Sequence, residues 1–141
     1  MSDPLRALDQ TATRDPQARW TTWLVIYVRV MAVLSMLKGL YHWAAVCGIG
    51  DGGGSIFEMA PLSWKAATIF FAVIDLVAAV GLWLAAAWGG VVWLTAAISM
   101  AAVEVLFPQI YGGKTWVVTA EIVAVAIYLG LALMAARERP E

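Results

Sequence analysis

The stretch VIYVRVMAVLSMLKGLYHWAAV, Val25 to Val46, is apolar enough to lie in lipid yet carries Arg29, Lys38 and His42. An ion at mid-bilayer costs at least about 2.5–3.5 kcal/mol even on the lenient insertion scale. A span that keeps three bases therefore needs acids to answer them. Those acids must come from the other apolar segments of the chain.

Composition agrees with a lipid setting. Of 141 residues, 62% are apolar and 13% charged, against about half and a quarter in soluble domains. A net charge of −1 with no basic run argues against nucleic acid as a partner. Cys47 is the single cysteine, which rules out an internal disulfide and a four-thiolate metal site and reads as a small buried hydrophobe. Residues 1–19 mix three acids with three arginines before any apolar run. They read as a polar cytoplasmic leader with a short interfacial helix around Leu5 to Leu8, not as a cleavable signal peptide.

Four segments approach the roughly 20 residues that cross a bilayer: about 20–46, 62–88, 91–107 and 115–136, with a cytoplasmic tail at 137–141. WGG, Trp88 to Gly90, reads as a tight turn between the second and third. GIGDGGGSIFEMAPLS (Gly48–Ser63) is a longer loop, and FPQIYGGK (Phe107–Lys114) breaks the chain before the fourth. Pro61 and Pro108 sit at loop edges, where proline belongs. Continuous apolar runs suit helices, which satisfy their own backbone in lipid, and lack the alternation of a membrane barrel. The expectation is an all-α, polytopic four-transmembrane-helix bundle spanning residues 20–136. Trp20, Trp23, Trp64, Trp88, Trp93 and Trp116 fall near span ends as an aromatic belt. Arg6, Arg14, Arg19, Arg137 and Arg139 lie on one side and Lys65 and Lys114 on the other, so both termini are expected in the cytoplasm.

Depth then sorts the charges. Counting about 1.5 Å per residue, Arg29 and Asp75 fall in the half nearer the termini, whereas Lys38, His42, Glu104 and Glu121 fall in the other. The expected intramembrane pairs are Arg29 with Asp75, and Lys38 and His42 with Glu104 and Glu121. At about 100° per residue, however, Arg29 points away from Lys38. Either the helix bends near Gly39, Arg29 snorkels to the surface, or one face meets another chain. Gly81, Ala85 and Gly89, spaced by four, offer a close-packing stripe for such a contact.

These charges can specify helix pairing alone, or bind an anion, a proton or a quinone headgroup. A metal at His42, Glu104 and Glu121 would have no spaced ligand motif, and no metal site is assigned. GIGDGG matches G-x-G-x-x-G only formally, since no strand precedes it. No hydrolase-type nucleophile and base stand together, and no catalytic residue is assigned.

IYVRVMAVLSMLKGLYHWA, FFAVIDLVAAVGLWLAAAWGGVVWL and VEVLFPQIYGG together resemble a family of small four-helix inner-membrane proteins of alphaproteobacteria, a domain of unknown function. The likeness runs from about Trp20 to Met134. More distantly the layout is similar to DoxX-like proteins, with Arg29, Asp75, Gly81 and Leu82 at matching positions. That resemblance implies the bacterial inner membrane and a link to quinone, the one cofactor it suggests. Three functions are expected: a non-catalytic accessory or assembly subunit, a quinone-linked oxidoreductase subunit, or a proton-coupled transporter acting as an oligomer through Asp75. The partners expected are the lipid bilayer and either a second copy or a larger membrane complex.

Overall fold

The computed structural model describes residues 19–50 and 56–138. The leader before Arg19, its expected short helix, the middle of the glycine loop and the last three residues lie outside them. The elements are α1 (Arg19–Val46), α2 (Ile56–Met59), α3 (Leu62–Trp83), α4 (Ala87–Leu106), α5 (Pro108–Tyr111) and α6 (Thr115–Arg137). Four of these, α1, α3, α4 and α6, are long and apolar enough to cross a membrane. The protein is built as a multi-pass membrane protein. The long helices form a ring in which α1 packs on α3, α3 on α4, α4 on α6, and α6 back on α1. Each runs antiparallel to its neighbours.

The interior combines many small and polar residues with a few large apolar ones, Phe71, Leu82, Trp93 and Met100, while most large apolar side chains lie outside. Ala32, Ala72, Ala78, Ala79, Ala96 and Ala97 are buried, together with Ser35, Thr68, His42, Asp75 and Glu104. Leu37, Tyr41, Leu84, Ile98, Trp116 and Leu133 face outward. Lipid tails are as apolar as leucine, so helices in a bilayer gain by close approach and interhelical polar contact. Helix α3 lies deepest, with eight buried residues; α6 buries only Ala135 and rests on the rim.

Helix ends follow local chemistry. Gly48 takes a left-handed φ of 68° just past α1. The Ile49 N–H bonds the Ala44 carbonyl at 2.9 Å and the Gly48 N–H that of Ala45 at 3.3 Å, a Schellman closure. Cys47 sits in this cap and is exposed, so its expected burial does not hold. Past α3 the same closure recurs, with Ala86 N–H to Gly81 O at 3.0 Å and Ala85 N–H to Leu82 O at 2.9 Å. Here the left-handed residue is Ala85, with φ 51°.

The turn between the second and third spans is therefore at Leu84–Ala86, not at the WGG triplet. Trp88, Gly89 and Gly90 lie inside α4, and α3 stops at Trp83. The glycines serve helix approach instead. A methyl group on Gly81 would fall 2.5 Å from the Gly89 Cα, one on Gly89 would enter the Gly81 backbone, and one on Gly90 would meet the Tyr128 hydroxyl at 2.5 Å. The stripe Gly81 and Gly89 thus closes a hairpin within the chain, and Ala85 belongs to its turn. Trp93, expected in the belt, is only 3% exposed and packs edge-on against Tyr128 with ring centroids 5.5 Å apart.

The start of α1 meets the end of α6. Glu138 accepts from the Trp20 N–H at 2.9 Å and the Thr21 N–H at 3.1 Å, which also satisfies donors of the first turn of α1. The opposite end, at Val46, Leu62, Tyr111 and Thr115, stands more open and carries the polar residues described next.

Candidate functional site

Lys38 holds two acids from two different helices. Its ammonium donates to Glu121 Oε1 of α6 at 2.8 Å and lies 3.6 Å from Asp75 Oδ1 of α3. Close packing makes this meeting available. Gly39, beside Lys38, has no room for a side chain, because a Cβ there would fall 2.9 Å from Leu76 Cδ2. The backbones of α1 and α3 meet at that point, and Asp75, one residue before Leu76, is brought to the lysine. Asp75 is 1% exposed and neither of its carboxylate oxygens has a hydrogen bond. One ammonium thus faces two carboxylates, the nearer of which takes its hydrogen bond.

The expected pair of Arg29 with Asp75 is not what the structure contains. Arg29 points out of the bundle, its guanidinium 5.7 Å from the ring centroid of Trp83, the last residue of α3. The depth count assumed that every helix starts at one plane. At about 1.5 Å per residue, α1 with 28 residues outruns α3 with 22, so Arg29 stands level with the end of α3. Of the three explanations for its opposed direction, the outward one describes the geometry. Lys38, expected to face Glu104 and Glu121, meets Glu121 and Asp75 instead.

His42 is buried, 6% exposed, and among the described residues no acid lies within ion-pair distance of it. Its ring sits among Tyr41, Phe71 and Tyr111, with centroids 5.7, 5.9 and 6.0 Å away. Glu104, 5% exposed, accepts the backbone N–H of Lys114 at 2.8 Å. It ties the segment after α5 back to α4 rather than neutralising a base. Sequence reasoning missed Tyr111, whose hydroxyl shares a 3.1 Å hydrogen bond with Thr68 of α3. Its signal was an aromatic residue beside paired glycines in FPQIYGGK, which reads as a chain break. Gly112 and Gly113, with φ 89° and 60°, let the chain double back so that Tyr111 turns inward. Burial raises the Tyr111 phenol above its ordinary 10.0; the Thr68 hydrogen bond opposes the rise, while Glu104 and Asp75 add to it. The hydroxyl keeps its proton and remains a donor.

Around these groups lies a cavity of about 610 Å³, open between α1, α4 and α6 and walled by Lys38, His42, Glu104, Tyr111, Lys114 and Glu121. Tyr41, Trp64 and Trp116 flank it. Its chemistry is that of a site for a small amphiphile, with aromatic sides, two carboxylates, two lysines, an imidazole and a phenol hydroxyl. Among the described residues no three His, Cys, Asp or Glu side chains are gathered as a metal ion would need. Arg29 and Asp75 are not on the cavity wall; Asp75 reaches it only through Lys38.

No curated protein and no solved structure matches the chain. One family model matches residues 22–139, which take in α3, α4, α6, all but the first three residues of α1, and the cavity, and the chain belongs to that family, a family of unknown function (DUF6163).

Proposed function

We propose that the protein is an accessory subunit of a bacterial inner-membrane complex that holds the headgroup of a membrane-soluble quinone. The cavity walled by Lys38, His42, Glu104, Tyr111 and Glu121 carries this reading. A quinone needs flat apolar walls for its ring and donors for its two oxygens. Tyr41, Trp64 and Trp116 supply the first; Lys38 and the Tyr111 hydroxyl supply the second. Bound there, the quinone would contribute two-electron redox chemistry, with Glu104 and Glu121 as nearby proton acceptors. The distant resemblance of the sequence to DoxX-like proteins at Arg29, Asp75, Gly81 and Leu82 would imply the same ligand class. The arginine excess at the end shared by Arg19 and Arg137 supports termini in the cytoplasm, with the cavity opening toward the outer leaflet.

The test is to extract the protein from native membranes in mild detergent, weigh the complex and identify what it carries. Foreign subunits in fixed ratio and retained quinone are expected. Glu104→Gln, which keeps an acceptor for the Lys114 N–H, should lower the quinone retained. A homo-oligomer or monomer free of quinone overturns the reading.

Asp75 favours a second reading, proton-coupled transport by an oligomer. Its buried carboxylate lacks a hydrogen bond and shares one ammonium with Glu121. One ammonium between two carboxylates is a charge imbalance that a proton-carrying role would use. Vesicle uptake driven by an imposed proton gradient and lost in Asp75→Asn would support it; a strictly monomeric protein would sink it.

A further inference from the structure

We propose that the groove between α1 and α3 on the outer face of the bundle binds an anionic phospholipid, with its phosphate on Arg29 and one acyl chain along the groove. The groove encloses about 410 Å³ and every side chain on its wall is apolar. Ala32 and Ala79, both nearly fully buried, form its floor because they are too small to fill it. Met36, Leu37, Val80 and Trp83 rise on either side. In a bilayer such a trench is filled by hydrocarbon, since a polar occupant would lose its hydrogen bonds there.

The charge at one mouth decides which hydrocarbon. Arg29 precedes Ala32 by three residues, so it shares the groove's face of α1. Its guanidinium stands over Trp83, which is also a wall of the groove. Among the described residues no carboxylate lies within ion-pair distance of it, and Glu138 at that end is engaged by Trp20 and Thr21. The guanidinium is exposed and level with the last residue of α3, and in this proposal it sits at the boundary with the lipid headgroups. Its planar fork matches two phosphate oxygens, and Trp83, 56% exposed, provides an indole at the same height, as interfacial tryptophans do. A lipid of net negative charge satisfies the arginine better than a zwitterionic one, whose ammonium competes for the same phosphate. Arg29 thereby has a role that no acid of the chain provides.

Native mass spectrometry of the full chain, stripped of lipid and given equal amounts of phosphatidylglycerol and phosphatidylethanolamine, tests this. The wild type should retain the anionic lipid about fivefold over the other, as expected of one cation at a membrane surface. Arg29→Gln should abolish the preference, Arg29→Lys should keep part of it, and none of them should shift the melting point, because the side chain is exposed. Met36→Trp fills the trench without touching the arginine and should lower retention of both lipids. A wild type without preference, or an Arg29→Gln protein that keeps it, overturns the proposal. A dimer that dissociates in Arg29→Gln without any lipid preference gives the arginine to a second copy and overturns it equally.

Discussion

Where α3 turns into α4, Gly81 and Gly89 bring two backbones together with no space for a methyl group between them. Toward the C-terminal end of α1, that helix, α4 and α6 stand apart around about 610 Å³, with Lys38 reaching from α1 to Asp75 and Glu121. One end of the bundle is joined by shape and the other by charge. In lipid these are the two means available, because burying apolar surface gives no net drive. They differ in what they leave behind. Shape contacts use up the space, whereas charge contacts act across a distance and leave a cavity whose walls are polar. The site therefore lies at the end joined by charge.

The largest expected effect falls on the end joined by shape. Gly89→Ala drives a Cβ into the Gly81 backbone, which cannot rotate away as a side chain would, so it should cost about 3 kcal/mol. Gly130 in α6 is the control, since nothing lies near a Cβ built there. Gly130→Ala should be neutral or stabilise by about 0.5–1 kcal/mol. Thermal unfolding in detergent reads both. Equal melting points for the two variants would mean that the hairpin is not held by its glycines.

The next effect probes the end joined by charge. Lys38→Met leaves two carboxylates without their ammonium and should cost about 2–3 kcal/mol, somewhat below a fully buried pair because Lys38 is partly exposed. Asp75→Asn should cost only about 1 kcal/mol, because the 2.8 Å bond to Glu121 survives it. Combined with Lys38→Met, Asp75→Asn should depart from additivity. Combined with Arg29→Met, it should add within about 0.5 kcal/mol. The reverse pattern would return Asp75 to Arg29.

The four spans were legible because an apolar run of about 20 residues has one reading in lipid. Six ionisable residues could be named for the same reason, as each is expensive there. Their partners were not legible. Counting rise from the start of each helix pairs Arg29 with Asp75, whereas the overhang of α1 beyond α3 depends on where Gly39 meets Leu76. The WGG triplet read as a turn because glycine suits both a turn and a close contact, and the pattern does not say which. Tyr111 escaped because its role depends on the chain reversing at Gly112 and Gly113. What was hidden in each case is a contact between segments far apart in sequence.

The smallest effect sharpens the same contrast from the turn itself. Ala85 adopts φ 51°, a left-handed conformation that costs an L-residue with a Cβ about 1–2 kcal/mol, while glycine enters it without that clash. The first helix uses glycine at this position of the closure, Gly48; the third uses alanine. The turn keeps its form because Gly81 and Gly89 fix the two helices it joins, so the strain is held by the packing on either side. Ala85→Gly should then raise stability by about 1 kcal/mol, net of the extra freedom gained by the unfolded chain. The shift should appear as a higher melting point with quinone and lipid retention unchanged. If stability falls instead, the alanine methyl contributes a contact worth more than the strain, and the hairpin is held by its turn as well as by its glycines.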